Sequence, residues 1–518
     1  MSAVRSKASE KPPLAPISKG STVGMVELVA TFFGLRDDTG HKLHDVGEIM
    51  RFPIPPFPRG PRYVPSTIID RWTFEWVQIT SPRVLRELYT LRGDEIDHEA
   101  PKGFLRPMFG VNSPFLLNGP GHAKVRQAVV PELRAKQVEQ YRRMSVDVLD
   151  RMIDELLLNQ PIHLHEFFTD FAQEVIVRAL FGFDEQHKVD QLRTWLKRCT
   201  AHALGPRVRL FTGLLFWPAM RPYRDRVDDI PRWPFRAAHT MRRETDELLY
   251  RTIAELRAAP NDSMASRLIA RSADDPFWTD KVLRDTFATL LVAGHHTSVS
   301  AYSWAAEYLL NDDDARAKLV DEAMSGQSDQ YAQACAKEAL RLKPPVWGAM
   351  AMAREDVALS GYRVRKGSFL FATGRSVHVD EQVYPDPLAF RPERFLPDDP
   401  SGRYSFIAFS LGRHRCPGTS FFYAESGLLL HRLFGRVRFE PQLTELDRTF
   451  MDLAFFNRPR RKVPVIARER RPARDVPIYS PTHAPDTDDI EVDEVAYLTG
   501  RPNPGCPFAG NTTPPSPR

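Results

Sequence analysis

The stretch Phe409-Ser410-Leu411-Gly412-Arg413-His414-Arg415-Cys416-Pro417-Gly418 decides how the rest of the chain is read. It sets one cysteine between glycines, behind three consecutive basic residues and directly ahead of an apolar helical pattern. A cysteine that is to remain a thiolate and ligate iron needs donors and positive potential around its sulfur, or it reprotonates. Gly412 and Gly418 let the backbone turn closely around the sulfur and aim amide hydrogens at it. Pro417 stiffens the turn and withholds one donor. The following helix turns its positive end toward the sulfur, and Arg413, His414 and Arg415 add charge of the same sign. For Cys199, Cys335 and Cys506 a small buried hydrophobe is the plain reading. With four cysteines widely scattered and no Cys-x-x-Cys pair, the chain offers neither a zinc site nor a disulfide framework.

Working outward, residues 420–433 read as a long helix and 437–439 as a strand. Upstream, apolar residues recur at three- and four-residue spacing over 124–159, 164–180, 241–258 and 280–311, which predicts helices. Residues 346–400 are dense in Pro and Gly and read as short strands and turns. The segment 62–79, with Phe74-Glu75-Trp76-Val77-Gln78-Ile79, reads as strand. The fold class is mainly α with a minor β region, and no internal repeat is present.

Apolar residues make up 42% and charged residues 26% of the 518, which excludes wholesale disorder and allows a large core. A net charge of +5 is small for this length and gives no case for nucleic-acid binding. The most apolar N-terminal stretch, 23–35, is short and carries Glu27, and no uncharged run is long enough to cross a membrane. The expectation is a protein in a reducing compartment, without a transmembrane anchor, and cytoplasmic. Three parts are expected: a flexible, Pro-rich segment over 1–59, one large domain over 60–466, and a charged, Pro-rich tail over 467–518. That tail is a solvated extension, or it packs on the body through Tyr497 and Leu498 or guides a partner.

The spacing Phe-x-x-Gly-x-His-x-Cys-x-Gly resembles the haem-binding signature of the cytochrome P450 family, in its soluble bacterial type. Three further motifs occur in the family's order. Glu338-Ala339-Leu340-Arg341 matches its Glu-x-x-Arg, and Phe390-Arg391-Pro392-Glu393-Arg394-Phe395 supplies the later arginine, Arg394. Ala293-Gly294-His295-His296-Thr297 matches the helix that crosses the haem. His122-Ala123-Lys124-Val125-Arg126 matches its His-x-x-x-Arg. The resemblance implies a single haem domain holding haem b (heme, iron protoporphyrin IX) with Cys416 as the iron ligand. Phe409 and Gly418 frame the sulfur, and His122, Arg126 and His414 face the propionates. Glu338, Arg341 and Arg394 form a buried ion-pair network that supports the cysteine loop. Gly294 makes room for oxygen, and Thr297, with His296, relays protons to it. The plainer alternative makes Gly294 a packing point and bonds Thr297 back to its own helix. The resemblance further implies a monooxygenase that inserts one oxygen atom from O2 into a lipophilic small molecule, by hydroxylation or epoxidation and in secondary metabolism. Its electrons come from a ferredoxin or flavodoxin with an NAD(P)H-dependent reductase, docking near Arg413 and Arg415. An enzyme of the same fold with other chemistry (peroxide-driven, coupling, rearranging or desaturating) is the rival, and a non-catalytic haem-binding protein stands further off.

Two departures stand out. His296 occupies a position where the family usually has an acid; it either changes proton delivery or simply takes the acid's place. Ala351 stands where many members have a propionate-binding arginine, with Arg354 too close to Asp356 to be its equivalent. For the substrate, the resemblance points to three groups of pocket residues. Phe104, Met108, Phe109, Val111, Phe115 and Leu116 precede His122. Phe211, Leu214, Leu215, Phe216, Trp217, Met220, Tyr223, Trp233 and Phe235 form an irregular lid. Val346, Trp347, Met350 and Met352, with Leu453, Phe455 and Phe456, complete the set. Arg106 and Arg207 are the candidate anchors for a carboxylate.

Overall fold

The structure is a computed structural model that describes residues 49–54, 74–80, 82–91, 95–203, 230–233, 235–346, 348–381, 383–397, 406–410, 414–452 and 456–479. A helical body is built from α1 (Pro82–Thr90), α2 (Gly119–Val129), α3 (Ala135–Asp154), α4 (Leu164–Phe181), α5 (Gln186–Ala203), α6 (Arg236–Ala258), α7 (Met264–Arg271), α8 (Asp280–Asn311), α9 (Asp313–Ser325), α10 (Gln330–Leu342) and α11 (Thr419–Arg436). The strands are β1 (Ile49–Ile54), β2 (Phe74–Ile79), β3 (Ile96–Asp97), β4 (Pro161–His163), β5 (Gly348–Ala353), β6 (Val357–Leu359), β7 (Tyr362–Val364), β8 (Phe369–Thr373), β9 (Val437–Pro441), β10 (Thr449–Asp452), β11 (Phe456–Pro459) and β12 (Pro464–Arg470). The largest sheet runs β1-β2-β8-β5-β3, with β2 and β8 parallel and the other pairs antiparallel.

Two helices organise the body because they are apolar almost all round. The 32-residue α8 spans about 48 Å at 1.5 Å per residue. Its N-terminus is capped by the Thr279 side chain, which accepts from the Val282 amide. Phe287, Leu291, Tyr302, Trp304 and Leu309 are buried along it, and it packs on α4, α6, α10 and β11. Asn457 of β11 clamps the two elements: its side chain accepts from Trp304 Nε1 at 2.6 Å and donates to the Pro344 carbonyl. The second helix, α11, begins three residues after Cys416 and buries Phe421, Phe422, Leu429, Leu430 and Leu433.

Several expectations need correction. The pattern over 124–159 is two helices, because Pro131 has no amide to continue a helix and sits in a 3-10 turn, Val130–Leu133. Part of the expected flexible segment 1–59 is strand: Phe52, Pro53 and Ile54 pair with Trp76, Glu75 and Phe74. At the other end, β12 runs straight across the expected boundary at 466–467, paired with β9 and β4. Beyond it, Val476 and Tyr479 are buried, and the guanidiniums of Arg432 and Arg436 donate to the carbonyls of Ala473, Val476 and Arg471. Packed structure therefore continues through Tyr479. Tyr497 and Leu498 lie outside the described residues.

Candidate active site

Cys416 presents its side chain to a cavity of about 490 Å³ inside the body. The residue has open surface, but that surface is cavity wall. Burial pushes the thiol up, while the Gly418 amide, which donates to the sulfur, and the charges of Arg126 and Arg415 pull it down. Burial prevails and holds the thiol above its ordinary value, while the Gly418 amide and the two nearby guanidinium charges are the groups that would favour a thiolate bound to a cation. The loop is fixed at several points. The Cys416 amide donates to the Phe409 carbonyl at 2.8 Å, and Thr419 Oγ1 donates to the Cys416 carbonyl at 2.8 Å. Ser410 takes a left-handed φ of 64° and shares a 2.6 Å hydrogen bond with Tyr89 of α1. Phe409 packs against Phe406, Phe422 and Tyr423. Gly418 adopts an ordinary φ of −86°, and a Cβ there would stand 3.8 Å from the sulfur, so no contact within the protein demands glycine. Gly412 and Arg413 lie outside the described residues.

The expected ion-pair network is formed. Arg341 grips Glu338 at 2.7 and 2.8 Å, Arg394 Nε approaches Glu338 Oε1 at 3.4 Å, and all three side chains are buried. Arg341 also donates to the carbonyls of His378, Pro387 and Ala389. His378 carries this network to the cysteine loop, a link that sequence reasoning missed. Its Nε2 accepts from the Ile407 amide at 3.0 Å, and its ring stacks on Phe406. Burial, helped by Arg341 and Arg375, lowers His378 to about 3. It is therefore neutral, with its proton on Nδ1.

On the cavity wall beside the cysteine, the His414 ring lies 4.3 Å from His98 and 4.8 Å from His122. Arg126 donates to the Arg415 carbonyl at 2.8 Å. The structure thus brings Cys416, His122, Arg126, His414, Phe409 and Gly418 to one wall and adds His98 and Tyr89, which carried no motif. Ala351 is buried in the sheet core, and Arg354 pairs with Asp97 at 3.2 Å.

α8 also lines this cavity, through Thr289, Leu290, Val292, Ala293, Gly294, Thr297, Ser298 and Ala301. Thr297 Oγ1 donates to the Ala293 carbonyl at 2.8 Å, and Ser298 Oγ donates to the Gly294 carbonyl at 3.1 Å. A Cβ on Gly294 would come within 2.8 Å of Ile176 Cδ1, so this glycine also lets α4 approach. The plainer reading of the Gly294/Thr297 pair is what the geometry shows, with Gly294 packing and Thr297 bonding back to its own helix, and both residues line the cavity.

The side chain of His296 is not among the described cavity lining, although at about 100° per residue its helical phase falls between those of Thr289 and Val292, which are. Its ring stacks on Phe456 at 5.5 Å and lies 4.8 Å from His295. Burial, reinforced by Arg458, lowers His296 to about 4, and burial lowers His295 to about 3. His165, held by Ser303 Oγ at 2.9 Å, is lowered to about 3 mainly by burial and senses His296.

The segment before α2 closes the cavity. Asp97 Oδ1 accepts from the amides of Glu99 and Ala100, both at 2.9 Å, and from Asn118. Glu99 binds Arg106 and Asn118, so Arg106 is engaged rather than free to receive a carboxylate. Gly110, at φ 88°, sits where a Cβ would strike the Asp285 carboxylate, and Asp285 accepts from the Asn112 amide at 2.9 Å. Of the expected pocket residues, Met108, Phe109, Phe115, Val346, Met350 and Phe456 line the cavity. Leu116 is buried away from it, and Trp233 is 86% exposed. Most of the expected lid, at 204–229 and including Arg207, lies outside the described residues, as do Trp347, Leu453, Phe455 and the side chain of Phe104.

A family model described as Cytochrome P450 matches residues 68–464. Among similar proteins, one from Mycobacterium tuberculosis with the provisional name cytochrome P450 137 is 27% identical over 379 residues, covering 72% of this chain and 76% of its own. Another from Mycobacterium bovis, provisionally cytochrome P450 135B1, is 26% identical and covers 72% and 78%. A third from Mycobacterium tuberculosis, provisionally cytochrome P450 135A1, is 24% identical and covers 74% and 88%.

Proposed function

The chain belongs to the cytochrome P450 family, whose members are haem-dependent monooxygenases, and from that premise we propose that Cys416 ligates the iron of a haem b in an enzyme that oxygenates a lipophilic small molecule. One observation supports the reading: Cys416 and the Gly294/Thr297 turn of α8 line one and the same cavity. The donor set fits the cofactor. A thiolate is met by the Gly418 amide, and His98, His122, His414 and Arg126 gather cationic and hydrogen-bonding groups for two propionates on the same wall. His98 takes the part left open by Ala351.

Bound there, a haem supplies the activation of O2, and thiolate ligation favours O–O cleavage. The protein holds the sulfur through the Phe409, Gly418 and Thr419 contacts and excludes water with Phe109, Phe115 and Phe456. Thr297 Oγ1 holds its proton toward the Ala293 carbonyl, a bond it can exchange for one into the cavity by rotating about χ1. His296 stands off the described cavity lining with its Nε2 buried and without a hydrogen-bond partner among the described residues, so proton delivery is assigned to Thr297. Electrons reach the site from a ferredoxin or flavodoxin with its reductase, which docks on the side of Arg415.

The reduced, carbon-monoxide-treated protein should show the red-shifted band of a thiolate-ligated haem, and Cys416→Ser should abolish both that band and turnover. Persistence of the band in that variant would remove Cys416 from the role. A second reading is favoured by the absence of any acid on the described cavity wall and by a His296 that stands off that lining: turnover driven by peroxide. Product formed with peroxide alone, and none with O2, NAD(P)H, ferredoxin and reductase, would decide for it.

A further inference from the structure

The described cavity wall carries basic side chains and no acidic one. Five of the basic residues, His98, His122, Arg126, His414 and Arg415, cluster beside the cysteine through ring contacts and the Arg126 hydrogen bond. Lys102 is the exception. It stands on the segment before α2, in the 3-10 turn Ala100–Leu105, where its amide donates to the Glu99 carbonyl at 2.8 Å but its ammonium makes no hydrogen bond or ion pair among the described residues.

The two carboxylates that act on Lys102 electrostatically are already engaged. Asp97 accepts from two amides, Asn118 and Arg354, and Glu99 binds Arg106 and Asn118. Burial, against the pull of Asp97 and Glu99, lowers Lys102 to about 8. An ammonium facing an apolar cavity without an anion of its own is costly until one arrives. Met108, Phe109, Phe115 and Phe456 line the same cavity and suit such an anion that carries an apolar body.

We propose that Lys102 anchors the carboxylate of the substrate, which makes the natural substrate a lipophilic carboxylic acid. This rests on the monooxygenase reading above and deepens it. The acid group is held at the closing segment while the apolar remainder extends toward Thr297. A haem propionate is the rival carboxylate for this ammonium, and the test separates the two.

Full-length, haem-loaded protein is titrated with dodecanoic acid, hexadecanoic acid and phenylbutanoic acid, each against its methyl ester, and the haem spin-state shift is read. The same series is run on Lys102→Met and Lys102→Arg, with haem content and reduction potential measured for each. At least one acid should bind about tenfold or more tighter than its ester. Lys102→Met should erase that preference at unchanged haem content and potential, and Lys102→Arg should restore it. Equal binding of acids and esters, no shift with any acid, or a preference that survives in Lys102→Met overturns the proposal. Loss of haem or a displaced potential in Lys102→Met, without a change in acid preference, gives the ammonium to a propionate and also overturns it. The carbon-monoxide band, recorded on the same samples, reports separately whether the haem-thiolate reading stands.

Discussion

The cysteine loop and the Thr297 turn of α8, which line one cavity, are held in different ways. The cysteine loop is fastened by groups from far along the chain: Tyr89 on Ser410, Arg126 on Arg415, and His378 on Ile407. On α8 the hydroxyls of Thr297 and Ser298 bond four residues back, to Ala293 and Gly294, while Thr289 also shares a 2.8 Å hydrogen bond with Ser113. Long-range bonds fix a position against the whole body. Local bonds satisfy a hydroxyl cheaply and release it when a better partner appears. The cysteine loop is built to hold one geometry, and the Thr297 turn to exchange partners.

Cutting the long-range side should cost most. Arg341→Ala leaves the Glu338 carboxylate buried and half answered, so a loss of about 3–5 kcal/mol is expected in chemical denaturation, with weakened haem retention. A loss under about 1 kcal/mol would show that the network does not hold the loop. A chain ending at Ile466 strips most of β12 and takes acceptors from Arg432 and Arg436. It should lose about 3 kcal/mol, whereas one ending at Ser480 should match the full chain; equal stability of the two would return the domain boundary to 466.

Smaller effects should sharpen the contrast. Glu425, which accepts from Tyr302 at 2.5 Å between α11 and α8, is raised by burial to about 8. Its folded pKa lies above the unfolded 4.5, so its contribution is complete below that value and is lost as pH rises through about 8. Glu425→Gln should remove a slope of up to about 1.4 kcal/mol per pH unit from that window, read from melting curves across it; an unchanged slope would mean that the carboxyl is ionised in place. His378 works in the other direction, since its folded pKa of about 3 lies below 6.5 and its contribution is lost as pH falls through that interval. The smallest change in stability is expected for Thr297→Val, within about 0.5 kcal/mol. Its effect should appear in coupling, as more peroxide released per NAD(P)H consumed. A larger stability loss would mean that this turn is fixed like the cysteine loop.

What was legible in the sequence follows the same division. The cysteine loop could be read because its donors, glycines and following helix are contiguous, and Glu338/Arg341 because three residues share a helix face. Tyr89, His98 and His378 reach the site only through tertiary contacts and carried no local pattern. Lys102 sits in an irregular turn where no periodicity marks a cavity-facing position. The orientation of His296 does not follow from helical spacing, because Thr289 and Val292, which bracket its phase on α8, line the cavity. Pro131 and the strand across 466–467 were in plain view, masked by an apolar period on one side and a basic run on the other.

The contacts around Cys416 also bear on the order of events in folding. Tyr89 and Ser410 are 321 residues apart, and Arg126 and Arg415 are 289. Pairings of such separation pay the entropy of loop closure before they return any energy, and they form late. The sulfur therefore reaches its final position only after nearly all of the chain has condensed. A cofactor that depends on it is captured at the end of folding rather than serving as its nucleus.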